Sequence, residues 1–399
     1  MKILGIETSC DETAASVVED GTRLLSNVVS SQIKVFEAYG GVIPEVAARS
    51  HIEVILPVVQ QALADADCTW DNIDAIGVTY APGLIGSLLI GSLAARTLAY
   101  AKQKPLYAVH HVEGHVYANF LTSQSSATQL ALPSLEPSFP LLALIVSGGH
   151  TQLALFRGHG DFVLLGQAQD DAVGEAFDKV AKIIGLPYPG GVSISKLAPS
   201  GNANAFDFPK ATLRCPVGCT HKINQPPTEA ELASGSVIRG GRGEVFSRNR
   251  CHLYDFSFSG LKTAVLRTVQ AECGVDHTFP SHQLPERVSD GLRADVAASF
   301  QRVAVETLVD KTVKAARDYS PASVVIAGGV AANQELRRQL QEALPLPIEY
   351  APMSLCTDNA AMIASLAFYM ATHGKPTDPL ELDIVPSLSM TKTAWAPQV

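Results

Sequence analysis

Lys2-Ile3-Leu4-Gly5-Ile6-Glu7-Thr8-Ser9-Cys10-Asp11-Glu12-Thr13-Ala14-Ala15-Ser16-Val17-Val18 is the stretch on which the fold turns. Apolar residues fill Lys2–Glu7 and again Ala14–Val18, with a polar turn between them, so the chain opens on strand, turn, strand. The plan returns at Leu141–Val146, Ser147-Gly148-Gly149-His150 and Thr151–Phe156. That echo predicts an α/β protein of two lobes built alike. Further strands are expected at Ala75–Thr79 and Ser323–Ala327. Helices are expected at 51–66, about 87–101, 172–185, 260–272, 292–318 and from Asn333 through Leu344, with a last helix containing Asp358-Asn359. The first of these carries Ile52, Ile55, Leu56, Val59 and Leu63 on one face. The expected division is an N-terminal lobe over 1–122, a Ser- and Pro-rich loop over 123–140, and a C-terminal lobe over 141–380. The second lobe holds an aperiodic insert at about 201–255, and a patternless tail covers 381–399.

His110-His111-Val112-Glu113-Gly114-His115 follows a strand-like Pro105–Val109. His111 and His115 are four apart, so on a helix both imidazoles share a face and can grip one metal ion. In the H-E-x-x-H peptidase helix a Glu follows the first His and serves as general base. Here Glu113 stands two residues after His111, about 200° round a helix, and points away. Two histidines satisfied by hydrogen bonds are the plainer reading, but ligand spacing beside an acidic residue favours metal. A third ligand must come from elsewhere.

The bulk numbers bound the rest. At 399 residues the chain has room for two or three domains or one bilobed one, and at 47% hydrophobic and 17% charged it can fill a core. A net charge of −9 argues against a protein that coats nucleic acid, while leaving room for a local basic patch. No apolar run spans a bilayer and no targeting segment opens the chain, which points to the cytoplasm. Seven cysteines, an odd number in so long a chain, fit a reducing compartment.

Four glycine turns are candidates for a nucleotide cleft: Gly83–Ser87, Ser147–Gly149, Gly190-Gly191 and Gly328-Gly329. Glycine lets backbone N–H groups approach a phosphate, especially at a helix start. None matches a P-loop or a full dinucleotide fingerprint. Single polar residues have ordinary readings beside the functional ones. Asp178 could pair with Lys182, Asp358 and Asn333 could cap helices, and Asp11 and Glu12 could be solvated turn residues.

Seven motifs stand in one order: Glu7–Thr13, His110–His115, Val146–Thr151, Gly174–Lys179, Tyr188-Pro189-Gly190-Gly191, Phe256–Lys262 and Cys356-Thr357-Asp358-Asn359. Together they resemble the bacterial TsaD type of tRNA threonylcarbamoyladenosine transferase, of the glycoprotease family, from residue 1 to about 380. The resemblance implies an actin-like, sugar-kinase-like fold of two ribonuclease-H-like lobes flanking a ligand cleft. It implies that Asp358 joins His111 and His115 around Fe2+ or Zn2+. Ile145, Val146, Ser147, Gly148, Gly149, Asp178, Gly191 and Asn333 match positions that hold threonylcarbamoyl-AMP. The implied reaction moves the threonylcarbamoyl group to N6 of adenosine 37 in tRNAs reading codons that begin with adenine, and AMP leaves. Asp11 or Glu12 is the candidate acceptor for the amine's proton. The implied partners are a paralogous scaffold of the TsaB type and a P-loop ATPase of the TsaE type.

Departures from the family pattern are local. Ser195 stands where many relatives carry an acidic residue that contacts the ligand. The insert carries Cys215, Cys219, His221, Cys251 and His252, whose spacing fits no standard zinc module. Its Arg239, Arg242, Arg248 and Arg250 are candidates for tRNA phosphates. Rival readings are an ATP-dependent kinase of the same fold, which leaves the His pair and Asp358 idle, and a metallopeptidase, which Glu113 argues against.

Overall fold

Ile3, Leu4 and Ile6 are wholly buried although neighbours in a strand point to opposite faces, so β1 (Lys2–Glu7) is a central strand. The computed structural model describes residues 1–37, 39–123, 130–211, 213, 237–239, 245–247, 252–346 and 348–393. In it β1 pairs antiparallel with β2 (Glu12–Glu19), which pairs antiparallel with β3 (Arg23–Ser31). On its other side β1 lies parallel to β4 (Ala75–Ala81), and β4 to β5 (Leu106–His110). The second lobe repeats this arrangement. A meander of β6 (Leu141–Val146), β7 (Thr151–Gly158) and β8 (Asp161–Gln167) is followed, after a small separate hairpin of β9 (Val237–Arg239) and β10 (Val245–Ser247), by two parallel strands. These are β11 (Ser323–Ala327) beside β6 and β12 (Ile348–Tyr350) beside β11. Read from the meander edge, each sheet runs third, second, first, fourth, fifth strand. Two such sheets make the bilobed actin-like α/β fold.

The first lobe carries helices α1 (Ile33–Glu37), α2 (Pro44–Asp65), α3 (Ile85–Lys102) and α4 (His111–Tyr117). The second carries α5 (Val173–Ile183), α6 (Gly190–Leu197), α7 (Ser259–Glu272), α8 (Asp290–Tyr319), α9 (Gln334–Ala343) and α10 (Met353–Cys356). The last helix, α11 (Ala360–His373), crosses back to pack on β1, β2 and β4 of the first lobe. It can lie so close because β1 has Gly5 beneath it. A Cβ there would sit 2.3 Å from the Ala360 carbonyl oxygen and 2.8 Å from the Ala364 nitrogen. A division of the chain at residues 123–140 therefore misses the segment that returns.

Three expectations change on contact with the fold. Of the apolar face expected of α2, Ile55, Val59 and Leu63 are buried, whereas Ile52 and Leu56 are 61% and 54% exposed. Asp358 and Asn359 precede the last helix rather than lying in it, because the Asn359 side chain accepts from Met362 N and starts the helix there. The patternless tail is tied to the first lobe as far as Leu388, as is the segment just before it, by groups that hydropathy cannot show. Arg96 donates to the carbonyls of Pro379 and Leu380, Val385 N donates to Tyr80 O, and Gly83 N donates to Pro386 O. Cys215, Cys219, His221 and Cys251, with the side chains of Arg239, Arg242, Arg248 and Arg250, lie outside the described residues. His252 Nδ1 is 2.7 Å from Asp255 Oδ2. Among the described residues no helix is long and apolar enough to cross a membrane.

Candidate active site

β5 ends at His110, whose ring accepts from Glu113 N and so starts α4 one residue later. That start puts His111 and His115 on one face of α4, with ring centroids 4.6 Å apart. Asp358, delivered by the turn before α11, closes the group. Its Oδ1 is 3.5 Å from His111 Nε2 and 3.4 Å from His115 Nε2, and the three ligand atoms lie within 4.8 Å of one another. Donors bonded at about 2.0–2.2 Å to a tetrahedral ion stand roughly 3.3–3.6 Å apart. His115 is buried, yet its Nδ1 has no hydrogen-bond partner among the described residues and its Nε2 meets only Asp358, which suits a ligand and costs a bystander. His111, His115 and Asp358 therefore fit a metal ion.

The first hairpin turn is the wall behind this group. Wholly buried Glu7 accepts from the Ser9 backbone N, the Thr79 hydroxyl and His111 Nδ1, the last at 3.2 Å. Ser9 Oγ is 3.1 Å from the same Nδ1. Fixing Nδ1–H in this way aims the Nε2 lone pair at the cluster. Burial disfavours charge on His111, but Asp358 and Glu7 outweigh it and push the imidazole up to about 9. Burial likewise opposes the charge on Asp358, and His111 and His115 overcome it to hold that carboxyl well below the usual range. His150 shows the opposite balance. Burial, with His111 and His115 nearby, holds its ring down to about 4. Burial and the carboxyls of Asp358 and Asp11 push Glu12 up to about 10, so this side chain keeps its proton through neutrality. Asp11 is buried beside it.

The second hairpin and its neighbours form a ring. Ile145 and Val146 lie buried in β6, and Ser147 closes the turn, its N donating to His150 O and its Oγ accepting from His150 N, leaving Gly148 and Gly149 with open space where a side chain would stand. Gly174, opening α5, packs against Gly148. Farther along α5, Asp178 accepts from Gly190 N at the start of α6, next to Gly191. From α6, Ser195 accepts from Asn333 Nδ2, and Asn333 also caps α9 through Leu336 N. Gly328, at φ 89°, returns the ring to Val146. So Ser147–Gly149, Asp178, Gly191 and Asn333 are linked through their own contacts. Burial and the carboxyls of Asp11 and Asp178 push the Tyr188 hydroxyl well up.

The ordinary readings of Asp178 and Asp358 fail here, and that of Asn333 as a cap holds. Asp178 makes no ion pair with Lys182 among the described residues; it holds the α6 turn instead. Asn359 is the cap, which leaves Asp358 for the cluster. Asn333 is a cap and also a link to Ser195. Glu113 is buried on the side of Tyr80 and Tyr117, away from the cluster. The Gly83–Ser87 loop is corrected as a nucleotide candidate. Gly83 N and Leu84 N are spent on Pro386 O and Ser9 O, and Ser87 braces Thr8 and Cys10. Glu7, Ser9, His150 and Tyr188 went unassigned in the sequence. A carboxylate ending an otherwise apolar strand was the signal for Glu7.

With this geometry in hand, the relatives are informative. A family model described as TsaD, tRNA N6-adenosine threonylcarbamoyltransferase, matches residues 23–365. A tRNA N6-adenosine threonylcarbamoyltransferase of Thermomicrobium roseum is 47% identical over 391 residues, spanning 96% of this chain and 95% of the relative. One of Symbiobacterium thermophilum is 46% identical over 391 residues, spanning 97% and 96%. One of Moorella thermoacetica is 44% identical over 391 residues, spanning 97% of both.

Proposed function

The chain belongs to the TsaD family of tRNA N6-adenosine threonylcarbamoyltransferases, and on that premise we propose that it moves a threonylcarbamoyl group from threonylcarbamoyl-AMP to the N6 amine of the acceptor adenosine in tRNAs reading codons that begin with adenine. The observation that carries the reading is the convergence of His111, His115 and Asp358 beside a ring of glycine turns. Those three residues would hold one divalent ion, Fe2+ or Zn2+, which when bound supplies a Lewis acid for charge building on the phosphate side of the mixed anhydride.

The chain's own residues do the rest. Ile145 through Gly149, Asp178, Gly191 and Asn333 hold the adenylate so that its carbamoyl carbon faces the amine, which turns an encounter into a positioned reaction. A C–N bond forms to N6, the anhydride C–O bond breaks, and AMP leaves with the electron pair. The amine's proton passes to Asp11, because Glu12 beside it already holds a proton at neutral pH. A kinase or ATPase of the same fold would leave the His–Asp group without a task, and a peptidase would need a base where Glu113 is not.

The reading places the enzyme in the cytoplasm with partners. Ile52 and Leu56 on α2 and Ile85, Leu89, Leu93 and Tyr100 on the adjacent α3 are exposed. This apolar strip suits a paralogous scaffold of the TsaB type, with a P-loop ATPase of the TsaE type completing the assembly. The test is incubation with synthetic threonylcarbamoyl-AMP and unmodified tRNA, with and without these partners, reading nucleosides by mass. Threonylcarbamoyladenosine is the expected product, lost in a folded Asp358→Ala variant. Release of AMP with no modified nucleoside under every condition overturns the reading.

A further inference from the structure

Asp358 is the one member of the proposed metal group that no helix or strand carries, because α10 ends at Cys356 after a single turn and α11 begins only at Ala360. Side chains must therefore hold this segment in place. On the far side of Asp358, Asn359 Nδ2 donates to the carbonyls of Leu355 and Thr357, at 3.1 and 2.7 Å. On the near side, two side chains reach the segment from elsewhere in the chain. Asn119, just past α4, accepts from Ala351 N at 3.0 Å. Arg337, on α9, donates from Nη2 to Ala351 O at 3.4 Å and to Cys356 Sγ at 3.3 Å.

Arg337 is the more heavily engaged of the two. Its Nε donates to Ala331 O at 2.6 Å, inside the Gly329–Ala332 turn between Gly328 and Asn333. Its guanidinium lies over the Tyr350 ring, 4.6 Å from the centroid, and the Tyr350 hydroxyl donates to Arg337 O. Its own N donates to Asn333 O, so it stands one helical turn after that cap. One planar fork thus spans two segments, the turn leading to Asn333 in the proposed donor ring and the turn that ends in Asp358. A lysine offers a single ammonium with no plane to stack, and cannot keep these directions. Arg338 next to it is the contrast: exposed, it pairs with Glu335 and Glu342 of its own helix.

We propose that Arg337 is a positioning residue, which holds the Asp358 turn at its distance from His111 and His115 and in register with the donor ring. The proposal rests on the metal reading above and adds the residue that keeps the third ligand in place. A site with three protein ligands loses affinity when one of them drifts, so contacts that orient a ligand carry part of the binding.

The test uses the full chain. Arg337→Lys keeps the charge and removes the fork, Arg337→Met keeps the stem, and Arg338→Ala is the control on the same helix. Affinity for Co2+ and Zn2+, read by competition with a chelator, should fall about tenfold in both Arg337 variants and hold in Arg338→Ala. At saturating Co2+ the visible absorption of the bound ion, which reports its coordination, should weaken in the Arg337 variants alone. With partners and saturating cation, KM for threonylcarbamoyl-AMP should rise about threefold, the worth of a modest hydrogen bond, while KM for tRNA holds. A general loss of structure would move both. Tyr350→Leu, which removes the ring beneath the guanidinium, should lower Co2+ affinity about threefold, and it decides the matter if the Arg337 variants do not fold. Folded variants that bind Co2+ as wild type does overturn the proposal and leave the metal reading standing. If wild type itself binds neither cation, the metal reading falls and this inference with it.

Discussion

The two hairpin turns sit at equivalent places in two sheets of one topology, and they are built in opposite ways. In the first, the side chains of Glu7, Thr8 and Ser9 and the Cys10 carbonyl are all engaged: Glu7 with Thr79 and His111, Thr8 on Ser87, Ser9 on Leu84, Glu7 and His111, and the Cys10 carbonyl on Ser87 and His51. In the second, Ser147 and His150 bond to each other across the turn, and a side chain on Gly148 or Gly149 would meet open space. One turn is a wall that aims an imidazole, and the other is an open turn, to which the proposed function assigns a ligand. Duplicating a fold thus supplied two equivalent loops, and side-chain chemistry gave them different tasks.

The largest effect that would break this contrast is expected from Glu7→Gln. Losing the charge that orients His111 should weaken metal binding about 10- to 100-fold, read by competition with a chelator, with a parallel loss of single-turnover rate. An unchanged affinity would show that the wall does no aiming. Gly148→Val should come next. The open turn has room for the side chain, so the melting temperature should hold, while KM for threonylcarbamoyl-AMP rises about tenfold through obstruction. A fall in stability with unchanged KM would place this glycine in packing rather than binding.

The smallest effect is in pH. In metal-free protein His111 is raised from 6.5 to about 9, so its charge contributes stability in full below about 6.5, and that contribution is lost as pH climbs through about 9. His150, held down to about 4, stays neutral across the same window and adds no slope there. Melting temperature measured in chelator should therefore fall between pH 6.5 and 9, and the fall should flatten in Asp358→Asn.

Much of this was legible in the sequence, for physical reasons that differ by element. Period-two alternation is weak in strands buried on both faces, yet the apolar runs of β1 and β6 with their polar turns were enough to show the repeat. The strands β3, β8 and β12 were not visible. β3 is half exposed and mixed in composition, and β12 is three residues long. His111 and His115 were legible because four-residue spacing is a local rule. Asp358 was not, because nothing local relates it to a helix some 240 residues earlier, and only the family resemblance joined them. The tail escaped notice for a third reason. Backbone carbonyls hold it, and these are the same whatever the side chains are.

The return of α11 to the first sheet has a consequence for synthesis. A nascent chain can form α4 and the entire first hairpin early, yet the centre lacks its carboxylate until residue 358 has left the ribosome and the helix behind it has settled over Gly5. On the proposed reading, cation loading is deferred to nearly the end of translation, and a chain stalled before that point would hold two imidazoles without the carboxylate that completes the group.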